Sequence, residues 1–383
     1  MRATNVSAQR GVHPAPATMK SKARPRPGFL ICLEIPRKFG LDSKIRANMR
    51  TLRLHLATLL VLANSACVTT ASTFDVEPVV YDDRFYGFVA RGTEVEILAS
   101  ELGWAEGPVW VAGLNALLFS DVAANRIYRW DDANGLSVYV SPSGHAPDDA
   151  PLSWRGSNGL AIDREGRLLL AQQGNRTLAR MSAPLSDPAP DYEVLVSNYG
   201  GKSINSPNDL VVHQSGDIYF TDPPYGLAGF EQSPDIELDF FGVFRLTTKH
   251  DLILVTRDLE KPNGIALSPD QSTLYVSNSE AGKEQIIAIE LDERGNPGLS
   301  RQFFDGRELI SDGPGSTDGM TVHKSGYLFV SIPNGLAVLS PTGELLGKIP
   351  LGQVTNMALN ATSSHLYITT PNRLLRLEIG DIR

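Results

Sequence analysis

Short runs of apolar residues, each of strand length and each introduced by a polar side chain, recur along the chain from residue 104 onward. The clearest unit is 206–223, SPNDLVVHQSGDIYFTDP: a Pro-Asn-Asp turn, a strand over 210–213, a Ser-Gly hairpin and a second strand over 217–221. Related units read EGPVWVAGLNALLFSD from residue 106, SNGLAIDREGRLLLAQ from 157, PNGIALSPDQSTLYVSN from 262, TDGMTVHKSGYLFVS from 317 and, in degenerate form, TNMALNATSSHLYIT from 355. The leading polar residues of these six copies are Glu106, Asn158, Asn208, Asn263, Asp318 and Asn356, spaced 52, 50, 55, 55 and 38 residues apart. A period of about 40–50 residues made only of strands predicts propeller blades. The expected fold is therefore all-β, a six-bladed β-propeller with four-stranded blades occupying 72–383. A strand over 95–99 has no leading polar residue of its own and is expected to complete the last blade, 355–379, so that no open edge invites aggregation. Blade one is expected to span 104–130. The segments 141–156, 183–191 and 224–241 read as long loops, the last carrying Tyr225, Phe230, Phe240 and Phe241.

The repeat implies a site. In a propeller the innermost strand of each blade lines the central channel, so residues that precede those strands gather as a ring at one mouth. That ring would hold the carboxylates Glu106 and Asp318 and the amides of Asn158, Asn208 and Asn263, while Asn356 is expected to be structural. Asn before Gly is also an ordinary turn former. Pro333-Asn334-Gly335 lies between two strands of one blade and is assigned to a hairpin; Asn263 differs because it precedes an innermost strand. Asp222 is expected to fix the loop before Tyr225. His213 and His323, just ahead of hairpin turns, are expected on the solvent side and outside any catalysis.

Charge is unevenly distributed. Residues 1–53 carry 12 Lys and Arg against two acids, leaving 23 basic and 41 acidic residues in the rest of the 383-residue chain. A surface this acidic has no basic stripe for phosphates, and nucleic-acid binding is disfavoured. Residues 1–48 are Pro- and Arg-rich without periodicity and read as a disordered or mis-started extension. Over 49–71, Arg50 and Arg53 precede an apolar run and a small-residue zone, the three parts of a secretory signal peptide. Cleavage before Cys67 would give a lipid-anchored lipoprotein, the expected route to any membrane, and cleavage near Ala71 a soluble exported protein. The expected location is periplasmic or secreted. Cys32 and Cys67 both lie upstream of the repeats, so the repeat region has neither a disulfide nor a thiolate metal site.

The phrases EGPVW at Glu106, NSPNDLVV at Asn205, FTDPPYG at Phe220, KPNGIALSPD at Lys261 and TDGMTV at Thr317 resemble those of the senescence marker protein/gluconolactonase/luciferin-regenerating family. The likeness covers roughly 95–379. It implies a six-bladed propeller with one divalent cation at the channel mouth and hydrolysis of a small lactone. Carried onto matching positions, it makes Glu106, Asn263 and Asp318 metal ligands, adds Asn208 as a ligand to metal, substrate or a bridging water, and makes Asp318 the catalytic carboxylate. Asn158, Asn208 and Tyr225 are the expected substrate contacts. The chain departs from the family's gluconolactonases at two substrate-side places: Lys202 and Ser203 stand where an Arg is frequent, and Gln173 where a His is frequent.

The residues themselves favour the same class of ion. Carboxylate and amide oxygens without Cys or His suit a hard cation, with Ca²⁺ the first expectation, Mg²⁺ or Mn²⁺ the alternatives and Zn²⁺ a mismatch. Two other readings remain at this stage: a propeller hydrolase of phosphotriesters, and a non-catalytic sugar- or protein-binding propeller with a structural cation. The sequence contains no Gly-x-Ser-x-Gly elbow, His-Glu-x-x-His or Walker-type loop. The composition leaves the oligomeric state open.

Overall fold

Alternating apolar positions and Gly-marked hairpins build antiparallel strands throughout. The computed structural model describes residues 72–144 and 155–380. The expected N-terminal extension, signal peptide and Cys67 lie outside the described residues, as does most of the 141–156 loop. Six antiparallel sheets follow one another as blades. Blade one comprises Ala105–Val111, Ala116–Asp121, Arg126–Asp131 and Gly135–Val140. It therefore continues a full strand beyond the expected limit at 130, because Gly135, at φ 66, turns the chain back into a fourth strand. Blades two to five begin at Leu160–Ile162, Leu210–Val212, Pro262–Leu267 and Met320–Val322.

The sixth sheet joins the two ends of the repeat region. Asn356–Leu359, His365–Thr370 and Arg373–Glu378 are followed in space by Glu94–Ser100, with Leu377 opposite Val95 and Arg373 opposite Ser100. Two sheets carry a fifth strand that the four-stranded expectation lacked: Ser72–Asp75 pairs outside Glu94–Ser100, and Val79–Val80 pairs with Leu345–Pro350. Both cover edges that would otherwise present unpaired backbone groups.

The core lies between blades. Ala161, Leu169, Phe220 and Phe244 join blades two and three, and Leu117, Trp130, Tyr367 and Leu374 join blades one and six. Around the axis every junction has its own hydrogen bond. Ser120 Oγ meets Ser157 Oγ at 2.7 Å, Gly159 N–H donates to Asn208 O at 2.7 Å, and Thr221 Oγ1 donates to Asn263 O at 2.7 Å. Ser277 Oγ donates to Asp318 O at 2.8 Å, Gly319 N–H to Thr355 O at 2.9 Å, and Thr355 Oγ1 to Ala105 O at 2.6 Å. The leading residues are thus tied to their neighbours through backbone atoms, which leaves their side chains free for other work.

Asn334, at φ 62, forms the tight turn between Leu328–Ile332 and Gly335–Leu339, as the hairpin reading requires. His213 and His323 are buried, not solvent-facing. Each imidazole folds over its own hairpin: His213 Nδ1 accepts from Ser215 N–H at 3.1 Å, and Phe88 packs edge-on against His323 at 5.2 Å.

Candidate functional site at the channel mouth

Glu106, Asn158, Asn208, Asn263 and Asp318 all line one cavity of about 300 Å³, and Tyr225 is in the same wall. Every residue expected in the site from the sequence is therefore brought together there. Of the five leading residues in this lining, Glu106, Asn158, Asn208 and Asn263 are buried in the ring and Asp318 is half-buried. Asn356 is not in this lining; it faces the channel below, where its Nδ2 donates to Asp209 Oδ2 at 3.2 Å.

The side chains are positioned by short local devices. Glu106 accepts from Gly107 N–H at 3.2 Å and from Trp104. Asn158 Nδ2 donates to Gln173 Oε1 at 3.0 Å, while its Oδ1 is buried with no protein partner. Asn263 hydrogen-bonds both to the Asp318 carboxylate and to the Tyr225 hydroxyl, which also meets Ser279. Asp222 holds the approach to Tyr225. Its Oδ2 accepts from Asn205 N–H at 2.7 Å and Nδ2 at 3.0 Å, and Ser206 Oγ bridges Pro223 O at 2.7 Å and Gly226 N–H at 2.8 Å.

Electrostatics make the ring costly without a counter-charge. Burial, and after it the negative charge of Asp209, hold the Asp318 carboxyl well above the usual carboxylate range. Burial followed by repulsion from Asp318 and Asp209 does the same to Glu106. Asp209, under the ring, is pushed up to about 6 by burial. Two carboxyl groups held together and largely withdrawn from solvent favour either protonation or a cation. Among the described residues no three His, Cys, Asp or Glu side chains form a metal-binding group. The donor set is accordingly two carboxylates supplemented by amide oxygens, and the orphaned Asn158 Oδ1 is a further acceptor facing no donor. That set fits a hard cation.

Sequence reasoning missed Trp104, Lys261, Ser316 and Gln353 in the lining, and Asp209 beneath it. A signal for three of them was present: Trp104, Lys261 and Ser316 each stand two residues before a leading residue, so the same register that gathers the ring gathers a second tier above it. Phe230 from the aromatic loop and Gln173 complete the wall. Lys202 is outside the lining and sits in a separate two-stranded ribbon with Asn198–Tyr199.

Comparison with known proteins agrees with this architecture. The chain is 40% identical over 307 residues to a gluconolactonase of Zymomonas mobilis, covering 78% of this chain and 84% of the relative. It is 24% identical over 286 residues to the pentonolactonase XacC of Haloferax volcanii, covering 73% and 85%. Among solved structures, the gluconolactonase XC5397 of Xanthomonas campestris superposes with a TM-score of 0.68 at 30% identity, over 81% of this chain and 96% of that one. The profile of the SMP-30/Gluconolactonase/LRE-like region matches residues 104–372, and the chain belongs to that family.

Proposed function

We propose that the protein hydrolyses a small sugar lactone, of the aldonolactone type, with the help of one divalent cation held by Glu106, Asn208, Asn263 and Asp318. The observation that carries this reading is the convergence of five leading residues on one cavity, in a chain 40% identical to a gluconolactonase. Ca²⁺ is the first expectation, because the donors are all oxygens and two carboxylates balance a divalent charge.

When bound, such a cation supplies Lewis-acid polarisation of the lactone carbonyl. Asp318 takes a proton from the attacking water; the new C–O bond forms at the carbonyl carbon, the ring C–O bond breaks, and the proton passes to the departing ring oxygen to give the open hydroxy acid. Beside a cation the Asp318 carboxylate would stay ionised and so available to accept the water's proton and hand it on. Asn158 and Tyr225 orient the sugar hydroxyls, and Trp104 and Phe230 supply the apolar faces that exclude water. The signal-like segment at 49–71 supports export, with Cys67 as the point of attachment if it is lipidated.

The direct test is hydrolysis of glucono-1,5-lactone by the purified protein, its loss with EDTA and its return with Ca²⁺. Binding of Ca²⁺ without turnover of any of a set of aldonolactones would overturn the catalytic reading.

A further inference from the structure

Lys261 is the cation among the described residues of the cavity lining. Its ammonium lies between Glu231 Oε1 at 2.8 Å and Glu280 Oε2 at 3.0 Å, and its backbone N–H donates to Asn278 Oδ1 at 2.8 Å. The two acids come from different segments. Glu231 is in the short turn Phe230–Gln232 of the aromatic loop, and Glu280 follows the strand Thr273–Asn278. The three groups are only partly exposed, with side-chain exposures of 19%, 42% and 31% for Lys261, Glu231 and Glu280.

An ammonium has three N–H donors, and two of these are committed to the carboxylates. One ammonium between two carboxylates leaves the cluster with a net charge of one negative. The proposed divalent cation would balance Glu106 and Asp318, and Asp209 beneath them adds a charge of the same sign. Away from the cation, the cavity is therefore electronegative although it contains a lysine. Of Lys261, Glu231 and Glu280, only Lys261 lines the cavity; a neutral polyol fits such a wall, since a hydroxyl can accept the remaining ammonium proton while the two acids behind it offset the lysine's charge. A substrate tail bearing phosphate, carboxylate or sulfonate would meet like charge.

We propose that Lys261, Glu231 and Glu280 form the specificity-determining cluster of this site, selecting uncharged polyhydroxylated lactones and rejecting those with an anionic tail. The inference rests on the lactonase reading and concerns which lactone is taken. Neutralising the two acids should reverse the preference, because it frees the Lys261 charge for an anion.

The experiment compares kcat/KM for glucono-1,5-lactone and for its 6-phosphate, using the full chain with Ca²⁺. The unmodified protein should favour the neutral lactone by roughly tenfold or more, and Glu231→Gln combined with Glu280→Gln should raise the relative value for the phosphate by about tenfold. Adding Lys261→Met should remove that gain. If the double variant does not fold, Glu280→Gln alone serves, read through inhibition by gluconate and by gluconate 6-phosphate, where the phosphate should gain on the neutral-tailed anion. A phosphate-to-neutral ratio that stays put while the neutral lactone is still turned over overturns the cluster's role and leaves the lactonase reading standing. No turnover of either lactone by the unmodified protein overturns both.

Discussion

Replacing Gly264 with alanine tests whether the site is held by direct backbone contact between neighbouring blades. A Cβ at Gly264 would lie 2.8 Å from Gly319 Cα, and closer still to the Asp318 carbonyl oxygen. Carbon atoms prefer roughly 3.5–4.0 Å, so blades four and five would have to separate by about 0.7 Å or more at the ring. Overpacking of this kind costs ~1–3 kcal/mol, which in a domain of this size lowers Tm by roughly 2–6 °C. The displacement falls on Asn263 and Asp318 themselves, and it disturbs Ser277 Oγ, which accepts from Gly264 N–H at 2.8 Å and donates to Asp318 O at 2.8 Å. An error near 1 Å in a reacting group can cost about a hundredfold in rate, so kcat/KM for a lactone should fall by about ten- to a hundredfold. Thermal melting and initial-rate assays on Gly264→Ala provide the reading. Gly113→Ala is the control, since nothing lies within 4 Å of its Cβ, and it should change stability by less than about 0.5 kcal/mol. A Gly264→Ala protein with native Tm and rate within twofold of the parent would refute the close approach of the two blades.

Other substitutions probe single roles. Asp318→Asn, assayed at saturating Ca²⁺, should lower kcat by about 10²–10⁴-fold while the Tm of metal-free protein does not fall, because a carboxyl held close to Glu106 and Asp209 is removed; retained turnover would exclude Asp318 as base. Asn334→Asp should leave Ca²⁺ affinity by calorimetry unchanged, since Asn334 forms a hairpin away from the cavity lining; a large shift would mean that the ring has been assigned in the wrong register. Burial pushes Asp222 up to about 7, whereas an unfolded Asp titrates near ~3.9. The unfolded chain therefore ionises first, and the stability that protonated Asp222 contributes is complete below about pH 4 and lost as the pH rises through about 7. Asp222→Asn should flatten that decline, measured as urea midpoints at pH 4.5 and 7.5, and parallel curves for the two proteins would contradict it.

How far the sequence could be read depended on what repeats. Glu106, Asn158, Asn208, Asn263 and Asp318 were legible because each precedes an innermost strand, and a closed wheel converts equal register into spatial proximity. Tyr225 followed from its loop leaving the second strand of its blade. Lys261 was masked by its place in a family-like phrase, and its partners Glu231 and Glu280 are 30 residues before it and 19 after it, with no shared pattern. The burial of His213 and His323 was not foreseen because hairpins are ordinarily wet, whereas here tertiary neighbours cover them: Phe88, from the segment before the repeats, packs on His323, and the Gly295 turn lies against His213. The fourth strand of blade one depended on Gly135 in a short turn with no leading polar residue to mark it.

The Asn-Gly and Asp-Gly pairs at the ring have a different cause from ordinary turns. Glu106, Asn158, Asn263 and Asp318 are each followed by glycine, and of these glycines only Gly107 has a positive φ. What they share is crowding: a Cβ at Gly159 would meet Asn208 O at 2.7 Å and Asp209 Oδ1 at 2.7 Å, and one at Gly319 would collide with the Asn356 side chain. The pattern fails at the two remaining copies, where Asp209 and Met357 follow the leading residues. Those two exceptions are connected. Asp209 extends into the space that Gly159 vacates, receives Asn356 Nδ2 at 3.2 Å and Ile265 N–H at 3.4 Å, and so ties blades three, four and six across the axis. The missing side chains leave room for one buried carboxylate beneath the ring, and that carboxylate raises the proton affinity of Glu106 and Asp318 above it. Packing at the hub and the chemistry of the site are thus set by the same positions, which is why a single methyl group at Gly264 is expected to reach both.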